Sequence, residues 1–188
     1  LLTRYLRGTS IAVSSAGTRG LPMHPIDPSS GMIMRGAGID PSGFRSRRLT
    51  RDMADGADLI LCFEALQRKD IVTLAPGAIG YTFLLPDFAN MCEYCARNGL
   101  VSGLTVQARL QSVIDSSSII RPMLPIAEDI EDPHHKDFDK FRAAANQTNM
   151  ALHRILAAMR KHYTVEQAPT RQQIGRHASS TPHFTPQA

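Results

Sequence analysis

Ala57-Asp58-Leu59-Ile60-Leu61-Cys62 is a short apolar run, rich in branched side chains, that leads into Phe63-Glu64. Apolar residues at successive positions, rather than alternate ones, read as a strand covered on both faces. A helix from about Glu64 to Leu74 follows, broken by Pro76 and Gly77. Tyr81 to Leu85 repeats the strand pattern, and Pro86-Asp87 opens a second helix toward Arg97. Strands alternating with helices imply a parallel sheet with helices on both faces. The expected fold is therefore α/β, a three-layer domain around a small parallel sheet.

Upstream, Ile11-Ala12-Val13 is a β-branched run ended by Ser14, Ser15 and Gly17, expected to be another buried strand that delivers a loop. Residues 18–28 hold four prolines or glycines, so they form a structured loop. Asp27-Pro28 supplies a cap and a first-turn proline for a helix through Met34, stopped by Gly36 and Gly38. Thr50 is a candidate N-cap for Arg51-Asp52-Met53. The chain opens in an amphipathic helix, Leu1, Leu2, Tyr5 and Leu6. Downstream, Leu104 to Ile114 has some helical periodicity, but serine runs, Pro122 and Pro125 suggest irregular excursions between Asn98 and Ala127. Phe138, Phe141, Ala145, Leu152, Ile155, Leu156 and Met159 follow three- and four-residue steps and predict one long amphipathic helix. From Val165 the composition turns to Gln, Thr, Ser, Pro and His, too polar to offset its ordering entropy. The expected organisation is one domain over 1–163 and a disordered tail over 164–188.

With 43% hydrophobic and 20% charged residues, the 188-residue composition is that of globular chains. The net charge of +4 is scattered, densest at Arg45, Arg47, Arg48 and Arg51. Such a run is a solvated face or a rim that attracts anions. Without an aromatic-interleaved basic stripe it does not point to nucleic acid. No run reaches the length of a membrane span, and no membrane role is expected. Three cysteines without regular spacing favour a reducing, cytoplasmic setting over a disulfide framework.

Three stretches in this order and spacing resemble the low-molecular-weight protein-tyrosine phosphatase family: Val13-Ser14-Ser15-Ala16-Gly17-Thr18, then Ala57 to Cys62, then Ile130-Glu131-Asp132-Pro133. His24-Pro25-Ile26-Asp27-Pro28, Gly38-Ile39-Asp40 and Arg47-Arg48-Leu49-Thr50 add to the likeness, which covers about residues 1–162. In that family a Cys-x-x-x-x-x-Arg loop between the first strand and first helix supplies a thiolate nucleophile. Backbone amides at a helix N-terminus stabilise both the phosphate and the thiolate. The resemblance aligns Leu1-Leu2-Thr3-Arg4-Tyr5-Leu6 with the continuation of that first helix. The first strand and the nucleophile loop would then be missing here, and the chain alone would be an inactive fragment. Cys62-Phe63-Glu64-Ala65-Leu66-Gln67-Arg68 satisfies the spacing, yet it has no glycine or hydroxyl residue to form an anion cradle.

The resemblance places the general acid at Asp132, which protonates the tyrosyl oxygen and later acts as base toward water; alone, Asp132-Pro133 is also an ordinary turn opener. His134 and His135 stand where the family often carries aromatic residues beside the acid. They either contact the substrate ring or are exposed loop histidines, and adjacent histidines without further spaced ligands make a weak metal pair. Ser15 matches a serine that braces the phosphate loop, or is a strand-ending turn serine. Leu21 matches a specificity position on the cleft wall, or packs within its loop. The implied substrate is a phosphotyrosine protein or a small aryl phosphate, hydrolysed through a cysteinyl-phosphate without metal or other cofactor. Cys92-Glu93-Tyr94-Cys95 keeps open a thiol-dependent arsenate reductase, with two thiols about one turn apart on a helix. A non-catalytic phosphatase-like binding module is the other alternative.

Overall fold

A computed structural model describes residues 1–160. The elements in chain order are α1 (Leu2–Tyr5), α2 (Pro28–Gly36), α3 (Arg51–Asp55), β1 (Ile60–Cys62), α4 (Ala65–Leu74), β2 (Thr82–Leu84), α5 (Leu85–Arg97), α6 (Val106–Ile120) and α7 (Phe138–Ala158). Short 3-10 turns at Pro76–Tyr81 and Arg121–Met123 join α4 to β2 and follow α6. No described helix is long and apolar enough to cross a membrane.

The two strands pair in parallel, Ile60 with Thr82, Leu61 with Phe83 and Cys62 with Leu84. Side chains alternate across a strand, so one face collects Leu59, Leu61 and Phe83 and the other Ile60, Cys62 and Leu84. The first face meets Phe88, Met91, Cys92 and Cys95 of α5, Val113 and Ile120 of α6, and Leu152, Ile155 and Ala158 of α7. The second packs on Ile71 of α4 and on Leu49. Helices cover both faces, which gives the three layers that strand–helix alternation predicts.

The caps are those the residues dictate. Asp27 Oδ1 accepts N–H bonds from Ser29 at 2.8 Å and Ser30 at 3.2 Å, with Pro28 in the first turn of α2. Gly38, at φ +70°, lets Ile39 N–H reach back to Met34 O at 2.9 Å and closes that helix. Thr50 Oγ1 accepts from Met53 N–H at 3.2 Å to start α3. Helix α1 docks on α7 through Tyr5, whose hydroxyl donates to Asn149 Oδ1 at 2.7 Å and lies 3.0 Å from His153 Nε2.

Two expectations are corrected. Ile11-Ala12-Val13 is not a strand: it has no ladder partner among the described residues, and Ala12 is exposed. Three apolar residues form a strand only where a neighbour takes their hydrogen bonds. The pairing falls a few residues later, as a single parallel bridge between Gly17 and Arg48. The second correction is α6, a continuous helix where serine runs suggested irregularity. Ser112 and Ser116 hydroxyls donate to Arg109 O and Ser112 O, each at 2.8 Å, so the serines find acceptors inside the helix rather than breaking it. The expected tail over 164–188 lies outside the described residues.

Candidate functional site

Strand β1 ends at Cys62, and the next three residues hold the loop that carries Asp132. Phe63 O accepts the Ile130 N–H at 2.9 Å, Glu64 Oε1 accepts the Asp132 N–H at 3.0 Å, and Asp129 Oδ1 accepts the Ala65 N–H at 3.0 Å. Ile130 is buried and anchors the stretch, while Asp132 on its far side is exposed. The acid candidate therefore stands at the carboxyl end of β1, where parallel α/β sheets place ligand clefts.

Asp132 Oδ1 accepts the His134 N–H at 2.9 Å, a turn that leaves Oδ2 without a protein partner among the described residues. The turn former and the available carboxyl oxygen are thus the same residue. His135 adopts φ +64° as Lys136 N–H closes onto Pro133 O at 2.9 Å. The exposed rings of His134 and His135 lie with centroids 3.8 Å apart, tilted by 46°. Glu131 pairs with Lys136 at 2.5 Å and Lys140 at 3.9 Å, and the Lys136 bond holds its carboxyl below the usual range. Asp137 then caps α7, accepting Lys140 N–H at 3.1 Å. No three His, Cys, Asp or Glu side chains converge for a metal among the described residues.

Ser15 and Leu21 share the other loop. Arg47 donates to Ser15 O at 2.9 and 3.2 Å, Gly17 and Leu49 exchange backbone bonds with 47 and 17, and Ser46 Oγ donates to Leu21 O at 2.6 Å. Ser15 is exposed, and so is Leu21, at 66%. No hydrogen bond or ion pair joins this loop to Asp132, His134 or His135 among the described residues. The indirect link is α4: Arg19 pairs with its Asp70 at 2.9 Å, while the amino end of α4 holds the Asp132 loop. Asp70 raises the Arg19 guanidinium's affinity for its proton, with a smaller push from Glu64.

The basic run is largely engaged in bracing. Arg45 donates to Ser42 O and Phe44 O, Arg47 to Ser15 O, Arg48 to Arg19 O, and Arg51 pairs with Asp55. For Arg45, Arg47 and Arg48 spacing could not show this, because their acceptors are backbone carbonyls; the Arg51–Asp55 pair alone follows the i,i+4 step of a helix.

All three cysteines are buried, including Cys62 at the end of β1. The Cys62 Sγ donates to Phe83 O at 3.3 Å, and burial pushes its thiol up to about 11. Arg68, at the matching spacing, donates instead to Thr82 O at 2.8 Å, so the pair forms no anion cradle. Cys92 and Cys95 are free thiols sealed in the core, both pushed up by burial. A thiol relay needs accessible, easily ionised sulfur, so this placement speaks against the reductase alternative.

Sequence reasoning missed Glu64 and Asp129. The signal for Glu64 was its position just before α4, where an acidic residue would be expected to cap its own helix; for Asp129 there was only its place three residues before Asp132.

The model of low molecular weight phosphotyrosine protein phosphatases matches residues 2–95. The low molecular weight protein-tyrosine-phosphatase Etp of Escherichia coli K12 is 36% identical over 93 residues, 50% of this chain and 62% of that protein. The probable low molecular weight protein-tyrosine-phosphatase EpsP of Ralstonia nicotianae is 38% identical over 85 residues, 45% of this chain and 57% of its own length. The chain thus spans about six tenths of the curated relatives it matches. Among solved structures, the tyrosine phosphatase Wzb of Escherichia coli K30 in complex with sulphate superposes with a TM-score of 0.57 at 22% identity, over 81% of this chain and 80% of that one. That likeness is one of fold.

Proposed function

We propose, since this chain belongs to the low molecular weight phosphotyrosine protein phosphatase family, that it forms part of an enzyme hydrolysing phosphotyrosine or a small aryl phosphate, with Asp132 as general acid. The single observation that carries the role of Asp132 is its carboxyl at the end of β1, one oxygen fixed by the His134 N–H and the other open. The thiol nucleophile of the family would come from residues outside these 188, because Cys62, Cys92 and Cys95 are all buried.

In the first step the thiolate attacks phosphorus and the bond to the tyrosyl oxygen breaks. The Asp132 carboxyl gives its proton to that departing oxygen, which would otherwise leave as a costly phenolate. In the second, the Asp132 carboxylate takes a proton from water as it attacks the phosphocysteine. Inorganic phosphate leaves, and the thiolate and the protonated acid are restored. No step needs a metal. His134 and His135 flank the acid on its exposed side, where a substrate ring would lie.

The test is p-nitrophenyl phosphate hydrolysis by a form extended upstream, by the 188-residue chain, and by Asp132→Ala in the extended form. The extended form should be active and the 188-residue chain inactive, with Asp132→Ala lowering kcat about 100- to 1,000-fold, the range of a lost general acid. A folded extended form without activity points instead to a non-catalytic binding module.

A further inference from the structure

We propose that Glu64 is a positioning residue that fixes the Asp132 backbone, and with it the acid carboxyl, at the carboxyl end of β1. The inference rests on the reading of Asp132 as acid. Glu64 stands at the N-cap position of α4, where a carboxylate ordinarily accepts amides of its own first turn; here it makes no such bond. Its Oε1 takes the Asp132 N–H instead, and the Ala65 N–H of its own helix is met by Asp129. Each segment thus satisfies an amide of the other, and the Phe63–Ile130 backbone bond lies between them.

This crossed arrangement matters because, among the described residues, Asp132 makes no other hydrogen bond to the body of the fold. Its side chain bonds only to His134 N–H, within the same turn, and moves wherever that turn moves. Its neighbour Glu131 pairs with Lys136 and Lys140, on the loop and the start of α7. The Glu64 side chain is itself held: its other oxygen lies 3.4 Å from Gln67 Nε2, while Gln67 Oε1 accepts the Phe63 N–H at 3.0 Å. Glu64 is half-buried and its bond to the Asp132 N–H lies at the surface, strengthened by the charge on the acceptor.

The first test is amide hydrogen exchange at Asp132 by NMR in the 188-residue chain. Glu64→Leu should speed exchange about tenfold or more, the size of a lost hydrogen bond to a charged acceptor. Glu64→Gln, which keeps an acceptor oxygen, should stay near the parent and guards against a leucine variant that misfolds. Unchanged exchange in a folded Glu64→Leu overturns the proposal. The second test uses the active extended form with phenyl and p-nitrophenyl phosphates, since the poorer leaving group depends more on the acid. Glu64→Leu should cut kcat for phenyl phosphate about tenfold, cut p-nitrophenyl phosphate less, leave KM unmoved, and add little on top of Asp132→Ala. Equal losses on both substrates, or full additivity, remove the role of Glu64 while leaving that of Asp132. An Asp132→Ala variant indifferent to the leaving group removes the acid reading itself.

Discussion

Arg109→Leu should be among the most damaging single changes in this chain, and its cost follows from two bonds. Arg109 is 8% exposed. Its Nε donates to Met159 O, at the C-cap of α7, at 2.6 Å, and its Nη1 to Gly103 O at 3.0 Å. Both acceptors are backbone carbonyls, and the first is one of the unpaired groups at a helix end. Leucine fills much of the volume but donates nothing. Two carbonyls then lose their partners at roughly 1–2 kcal/mol each, and the helix end loses a favourable cation worth about 0.5 kcal/mol. The sum is about 3 kcal/mol, or a fall in Tm of about 10 °C for a chain of this size. Arg109→Lys restores the charge and one bond but not the fork, and should recover about half. Urea unfolding followed by circular dichroism reads both variants directly. A loss below about 1 kcal/mol for Arg109→Leu would refute the argument, showing that the carbonyls find other donors at little cost.

Gly103 stands at φ +120°, and a Cβ there would meet Ala108 Cβ at 2.5 Å; Gly103→Ala should lower stability by about 2 kcal/mol, and an unchanged urea midpoint would count against that strain. Cys62 holds its proton more tightly when folded, about 11 against an ordinary 9.0. Its contribution is therefore intact below pH 9 and lost as pH rises toward 11. The urea midpoint should fall across that window and fall less steeply in Cys62→Ala, whereas equal slopes would contradict the assignment. In the native chain all three thiols should resist a neutral-pH disulfide reagent until the protein unfolds, and prompt reaction of any one would reopen the redox reading.

Much of the architecture was legible because its determinants are local. The run through Cys62 and the run around Phe83 are apolar at successive positions, and both became strands with opposite faces in separate cores. Asp27-Pro28, Thr50 and the periodicity after Phe138 named their helices, since caps and amphipathic spacing act within a few residues. The resemblance, rather than local pattern, put Asp132 forward as the acid candidate, whereas the lack of glycine or hydroxyl residues was enough to set aside the Cys62–Arg68 spacing, whose Arg68 turns to Thr82 O.

What the chain order could not hold was pairing between distant segments. Ile11-Ala12-Val13 has a strand's composition, but a strand exists only where a neighbour accepts its bonds, and that neighbour is a tertiary fact. The serines of α6 read as breakers until their hydroxyls were seen donating within the helix. Arg109 and Glu64 look like surface charges in sequence. Only the fold brings Met159 O to one and the Asp132 amide to the other, across 50 and 68 residues. Local sequence thus determined which elements form, because backbone preference and burial pattern are short-range. Tertiary structure decided which polar groups face each other, because a buried donor is satisfied by whatever acceptor the packing delivers.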